Sequence, residues 1–401
     1  MLTAVTRPLR ELTDEVPDLN DVARGDGQLF VRDGVGIAGR GIACRVESSA
    51  AVPLLAAVPH DTTVEGVLPL AIGVVPFVPG SPADLIVPEV TIGKPADGEP
   101  WVTICTGARP VDVAGALAVP PPPLPVAAAY RIEPALDVGH YLDAVGAARD
   151  AVRAGRLTKA VIARPIRVAA DRVIDVQAVL RRLKATFGSS YRYAIDGIIG
   201  ASPELLVELD GAVVRSHPLA GTAPRTGDAT HDARVAAELV ESTKDQVEHR
   251  VVIDVVHDTL LPWASYLDWE PEPSIVTVAN VQHLGTRMEG RLSQPGPTVI
   301  ELVRALSPTP ALGGHPRDAA LELIRRVEGF ERGRYGGAVG WVDAAGNGTW
   351  AVAIRCAELS RDGRSARLVA GGGIVADSDP LAELAETQAK FQAMLSAIVR
   401  P

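Results

Sequence analysis

The chain predicts an α+β fold: a large domain whose antiparallel sheets are interrupted by a few long helices, not a βαβ array. Three observations carry this. Residues 1 to about 116 alternate short apolar runs with clusters of Gly, Pro and Asp, the pattern of strands joined by turns. Stretches at about 232–260 and 318–328 instead have helical spacing. With 401 residues, 47% of them apolar, the chain is long enough to bury a large core.

In chain order, Leu29-Phe30-Val31, Gly41-Ile42-Ala43-Cys44-Arg45-Val46 and Trp101-Val102-Thr103-Ile104-Cys105 read as strands. Pro120 to Pro123, with Pro125, predict an extended surface crossing in polyproline geometry. From Tyr141 the pattern turns helical, with Tyr141, Val145, Ala148 and Val152 apolar and a stop at Gly155. Lys159 to Val168 and Arg192 to Glu208 read as strands, the second broken at Ser202-Pro203. The two long helices follow. A last helix runs from Leu381 to Leu395, with Asp379 as N-cap and Pro380 at its first position.

Charge and cysteine usage narrow the function. The net charge is −10 and only 4% of residues are aromatic, which argues against a nucleic-acid groove and for small-molecule partners. Cys44, Cys105 and Cys356 lie far apart in apolar surroundings, as expected of buried thiols in a reducing compartment. Met1 to Arg7 has no basic-then-apolar leader pattern and no run of 18 apolar residues occurs. The expectation is a cytoplasmic protein with no membrane partner.

The chemistry concentrates in the second half. On the last helix Glu383, Glu386 and Lys390 fall at i, i+3 and i+7 and so share a face. Asp245 and Glu248, within Lys244-Asp245-Gln246-Val247-Glu248-His249, form a second helical pair at i, i+3. Either pair alone reads equally well as solvated surface. Facing each other, they would make an oxygen cage for one divalent metal beside a dianionic small molecule.

Taken together, the motifs resemble the chorismate-utilising enzymes, the family of anthranilate synthase component I, aminodeoxychorismate synthase, salicylate synthase and isochorismate synthase. The resemblance covers about residues 140–397. It rests on Leu157 to Arg164, Gly200-Ala201-Ser202-Pro203-Glu204-Leu205-Leu206, Pro218 to Arg225, Lys244 to His249, Val281-Gln282-His283-Leu284, Pro308-Thr309-Pro310-Ala311-Leu312-Gly313-Gly314, and Gly371-Gly372-Gly373-Ile374-Val375 with the last helix. Seven segments in the family's order make the match specific. The fold it implies is one domain over 1–401, two mostly antiparallel sheets with flanking helices, residues 1–130 completing the sheets.

The same resemblance assigns roles. It makes Lys159 the general base that activates water, where an edge lysine facing solvent is the plain alternative, and Glu204 the general acid. It implies Mg²⁺ on Glu248 and Glu386, with Asp245 and Glu383 close by. Arg355, assisted by Tyr335, would hold the enolpyruvyl carboxylate of chorismate. Gly371, Gly372 and Gly373 would let backbone N–H groups approach an anion, unless they form a mere turn. Gly221 and Thr222 would serve the ring carboxylate beside Lys390, and His283 would be a wall residue. Ala311 and Leu312, after Pro310, resemble the isochorismate synthases.

Three departures stand out: Thr243 where relatives often have glutamate, Gly-Gly-Gly where Gly-Ala-Gly is common, and Tyr335 where some isochorismate synthases have phenylalanine. The implied reaction is isomerisation of chorismate to isochorismate, for siderophore or menaquinone biosynthesis. Salicylate synthase, an ammonia-using synthase subunit, and a non-catalytic binding relative are the alternatives. Many relatives act as monomers, and a monomer is expected here.

Overall fold

Antiparallel pairing sorts most of the strands into two large sheets, whose central strands are buried along nearly their whole length. The structure, a computed structural model, describes residues 2–107, 110–278 and 281–400, with the backbone alone at residue 244. Among the described residues the larger sheet has 13 strands, the second nine and a small third sheet three. The third sheet was not expected. Pairing is antiparallel except between Thr3–Pro8 and His60–Thr62.

At the centre of the chemistry lies the strand Lys159–Ala170, paired along its length with Ser365–Ile374. That register puts Val161 opposite Gly373, Ile162 opposite Gly372 and Ala163 opposite Gly371. The larger sheet continues through Cys356–Leu359, Ile198–Ser202 and Tyr191–Ile195 into the N-terminal strands from Gln28–Arg32 onward. The second sheet places Leu205–Asp210 beside Gly348–Val352 and Ala338–Asp343, then Leu70–Val75, Asp84–Val87 and Cys44–Glu47. Residues from the first third thus extend both sheets. The chain passes between the two large sheets several times, and two of these crossings, over residues 203–204 and 353–355, lie side by side.

Several elements differ from the sequence reading, each for a local reason. The run 232–260 is two helices, Ala229–Glu241 and Thr243–Leu260, because Ser242 turns extended and caps the second. The stretch Gly41–Val46 is not one strand: Gly41 sits at φ +70 and the strand starts at Cys44. Arg192 to Glu208 holds three strands, two of them joined at Asp196-Gly197 with φ of 50 and 81, the positive angles a tight hairpin requires. The first third also contains helices at Leu19–Ala23, Ala51–Ala56 and Val113–Leu117. Helices Val176–Thr186 and Val299–Leu306 went unread, although Thr298 and Glu301 form a capping box visible in the sequence.

The helices that matter to function are firmly started. Asp379 accepts the N–H of Ala382 at 2.9 Å to open Pro380–Val399. The proline-rich stretch runs unpaired over the surface, held where Asp175 and Asp171 accept the N–H groups of Leu124 and Ala128. Among the described residues no helix is long and apolar enough to cross a membrane.

Candidate active site

The crossings at 203–204 and 353–355 each deliver a charged side chain to one cavity. Ser202 ends its strand in the larger sheet and Leu205 opens the next in the second, so Pro203 and Glu204 bridge the seam. Arg355 bridges it in the return direction. It lies outside any strand: the preceding one stops at Val352, and Arg355 takes a left-handed φ of 51 before Cys356 enters the larger sheet. The two crossings bond to each other, with Val352 N–H donating to Glu204 O and Ala201 N–H to Arg355 O, both at 3.1 Å.

Glu204 is only 3% exposed. Burial pushes its carboxyl up to about 8, although the Leu219 N–H and the charges of Lys159 and Arg355 pull the other way. It therefore keeps its proton at neutral pH. His283 is fixed in the opposite sense: burial, then Arg355 and Lys390, push it down to about 3. The neutral ring accepts a hydrogen bond from Arg355 Nη2 at Nε2 (3.4 Å) and donates one from Nδ1 to Gly221 O (3.2 Å). The Thr222 hydroxyl lies 3.1 Å from the same Nδ1.

Lys159 does not face solvent. It is 2% exposed and its Nζ sits 2.6 Å from Glu248 Oε1. On the last helix Lys390 Nζ lies 2.5 Å from Glu386 Oε1 and donates to Gly371 O at 2.8 Å. Glu383 accepts from Ser378 Oγ at 2.8 Å, and Asp245 accepts from Ser242.

The glycine run is neither a turn nor a nest of free N–H groups, because all three glycines lie inside the strand Ser365–Ile374. What they provide is clearance. A Cβ on Gly373 would stand 2.5 Å from Glu248 Oε1 and 2.7 Å from Lys159 Cε. One on Gly372 would stand 2.7 Å from Glu383 Oε2. Gly221, at φ +76, brings its backbone against Asp245 in the same way.

These side chains surround one cavity of about 240 Å³. Every site residue inferred from the sequence lines it except Gly372, which lies behind the acids. Tyr335 closes one side, its hydroxyl pushed up to about 12 chiefly by burial, beside Ala311 and Leu312. Sequence reasoning missed the apolar floor of Val161, Leu219, Ile354, Val369, Phe391 and Met394, which no polar motif marks. It also passed over Glu328 and Arg332, whose i, i+4 spacing reads as an ordinary surface pair.

The acids suit a hard cation in kind. Asp245 and Glu248 come from one helix, Glu383 and Glu386 from another, and all four face the same cavity as oxygen donors. They do not form a closed cage: among the described residues no three His, Cys, Asp or Glu are grouped closely enough to hold a metal by themselves. Lys159 and Lys390 take part of the coordination space. Mg²⁺ needs only one or two protein carboxylates when substrate and water supply the rest, so the donor set fits it.

Residues 119–399 match the family described as chorismate binding enzyme. This chain belongs to that family. The chorismate-binding enzyme is 41% identical over 280 residues to the isochorismate synthase DhbC of Bacillus subtilis (strain 168), covering 67% of this chain and 70% of that one. It is 34% identical over 349 residues to the isochorismate synthase EntC of Escherichia coli (strain K12), covering 85% and 84%. Its fold matches the solved structure of MenF, the menaquinone-specific isochorismate synthase from Escherichia coli, with a TM-score of 0.84 over 100% of this chain and 94% of that one at 24% identity.

Proposed function

We propose that this chorismate-binding enzyme is a Mg²⁺-dependent isochorismate synthase. One observation carries the reading: a buried carboxyl that keeps its proton, Glu204, and a buried lysine, Lys159, line the same small cavity as Arg355 and four carboxylates. Several relatives at 34–41% identity bear that activity in their names.

In this reading Arg355 and Tyr335 hold the enolpyruvyl carboxylate, while Gly221, Thr222 and Lys390 serve the ring carboxylate. Neutral His283, fixed by Arg355 and Gly221, forms the wall beside the ring hydroxyls. Lys159, acting in its neutral form and released from Glu248, takes a proton from water as the oxygen bonds to C2. The ring double bonds shift, the C4–O bond breaks, and Glu204 gives its proton to the departing hydroxyl, which leaves as water. The charges left on Lys159 and Glu204 reset through solvent. Acid–base assistance of this kind contributes about 10²–10⁴-fold, and orientation supplies much of the rest. Glu248 and Glu386, with Asp245 and Glu383 beside them, would hold Mg²⁺, which when bound neutralises and templates the substrate carboxylate.

The test is incubation of the purified protein with chorismate, with Mg²⁺ or EDTA, and chromatography of the products over time. The expected result is isochorismate at a plateau short of full conversion, abolished by EDTA. Salicylate with pyruvate would make the protein a salicylate synthase, the alternative that Tyr335 keeps open. Unchanged chorismate in the presence of Mg²⁺ would overturn both.

A further inference from the structure

The strand that begins at Lys159 has an incomplete neighbour. One edge is paired from Ala160 to Ala169 with Ser365–Ile374. The other is covered by Gly314–His315 at Lys159 and Ala160, and by Tyr130–Pro134 only from Ile166 onward. Between them, among the described residues, no strand pairs with that edge at residues 161–165. An open edge inside a protein would leave backbone groups unsatisfied.

Backbone bonds from the Val161 N–H to Gly313 O and from the Ala135 N–H to Pro165 O narrow the gap, and two side chains reach into what remains. Arg332 Nη2 donates to Val161 O at 2.8 Å, and Glu328 Oε1 accepts the Ala163 N–H at 2.7 Å. The two are joined by Arg332 Nε to Glu328 Oε2 at 2.8 Å and by a second bond from Nη2 to Oε1. From the same guanidinium, Nη1 donates to Leu312 O at 2.7 Å. Its flat face lies 4.2 Å from the Phe77 ring centroid and 6.0 Å from that of Tyr335. Glu328 and Arg332 are each 2% exposed, and neither lines the cavity.

We propose that Arg332, held in plane by Glu328 and Phe77, is a positioning residue for the reaction, an inference that rests on the isochorismate synthase reading. It ties the base-bearing strand, two residues beyond Lys159, to the Leu312 wall, and Tyr335 rests against its face. One rigid fork thus fixes the spacing of three separate parts of the cavity. Satisfying Val161 O and the Ala163 N–H alone would not require the further bond to Leu312 O, which links the strand to a residue of the cavity wall. Lysine in its place keeps the charge but cannot serve Val161, Leu312 and Glu328 together in one plane.

The experiment compares wild type, Arg332→Lys and Phe77→Leu for chorismate turnover well below their melting temperatures, per folded molecule. Misplacing reacting groups by about 1 Å is enough to cost about 10²-fold. For Arg332→Lys kcat is expected to fall about 10- to 100-fold, with KM for chorismate and calorimetric Mg²⁺ affinity without substrate within about threefold of wild type. Phe77→Leu, which frees the guanidinium plane but keeps its hydrogen bonds, is expected to lose about threefold in kcat alone. A folded Arg332→Lys with wild-type kcat overturns the proposal, as does a loss confined to KM. Should Arg332→Lys not fold, an unchanged kcat in Phe77→Leu overturns it. A wild type that leaves chorismate unchanged defeats the functional reading instead.

Discussion

Glu204 shows how far one buried residue sets the chemistry. A carboxyl on the seam between two sheets finds few polar partners, so burial outweighs the two nearby cations and raises its titration to about 8. As general acid it works protonated, so kcat/KM of the free enzyme should fall as pH rises through about 8. A pH–rate profile checks this. Glu204→Gln should lower kcat by about 10²–10⁴-fold and abolish that alkaline limb. Stability follows the same linkage. The unfolded carboxyl ionises near its ordinary 4.5 while the folded one waits until about 8, so the native state binds more protons across that window. Folding therefore loses stability as pH rises from about 4.5 to 8, and Glu204→Gln should remove that loss. Melting temperatures of the two proteins at pH 5 and pH 8 decide it: a variant whose pH dependence matches wild type would mean that Glu204 ionises normally. His283, held neutral down to about 3, should contribute no acidic limb between pH 5 and 8.

At the level of the element, the strand Ser365–Ile374 makes room for two helices. Gly372 and Gly373 are extended residues whose missing Cβ atoms leave space for Glu383, Glu248 and Lys159. Gly372→Ala puts a methyl 2.7 Å from Glu383 Oε2 without backbone strain, so the carboxylate must move while the sheet stays intact. Calorimetric Mg²⁺ affinity without substrate should drop about tenfold, the lower end of what disturbing the surroundings of a metal ligand costs. Wild-type affinity in Gly372→Ala would remove Glu383 from the metal site. Gly371→Ala should behave differently, because its Cβ would press at 3.0 Å on Ile162 O in the partner strand and strain the ladder. Much of this element was legible in the sequence, and some was not. The glycines, the two carboxylate pairs and Lys390 announce themselves through type and spacing. Yet a glycine run carries no mark that separates a turn from a strand making space. The break at Ser242 was readable, since a serine three residues before Asp245 has the form of an N-cap, but the apolar run continued across it. Glu328 and Arg332 stayed hidden because only tertiary packing shows that their i, i+4 pair is buried.

For the molecule as a whole, the site lies where two neighbouring crossings pass from one sheet to the other, so it depends on both sheets holding their relative placement. The first 130 residues carry no predicted site residue, yet they are woven into both layers. Gln28–Arg32 pairs with Tyr191–Ile195, a strand next to the one that leads to Glu204. Leu70–Val75 pairs with Ala338–Asp343 over six residues, next to the strand that leads to Arg355. Sequence reading identified this region only as strand-rich, because sheet partners far apart in the chain leave no local signal. Removing it would uncover one long edge on each sheet together with apolar residues that Phe30, Leu70 and Ile72 cluster with, among them Tyr193, Ile195 and Val339. Exposed hydrophobic edges of that kind recruit other chains. A chain of residues 131–401, although it retains every predicted site residue, should therefore aggregate and show no turnover of chorismate. Sedimentation and activity of the purified fragment measure this directly. A monodisperse fragment with wild-type kcat would mean that the remaining strands hold the seam by themselves, and that the N-terminal strands contribute nothing to the placement of Glu204 and Arg355.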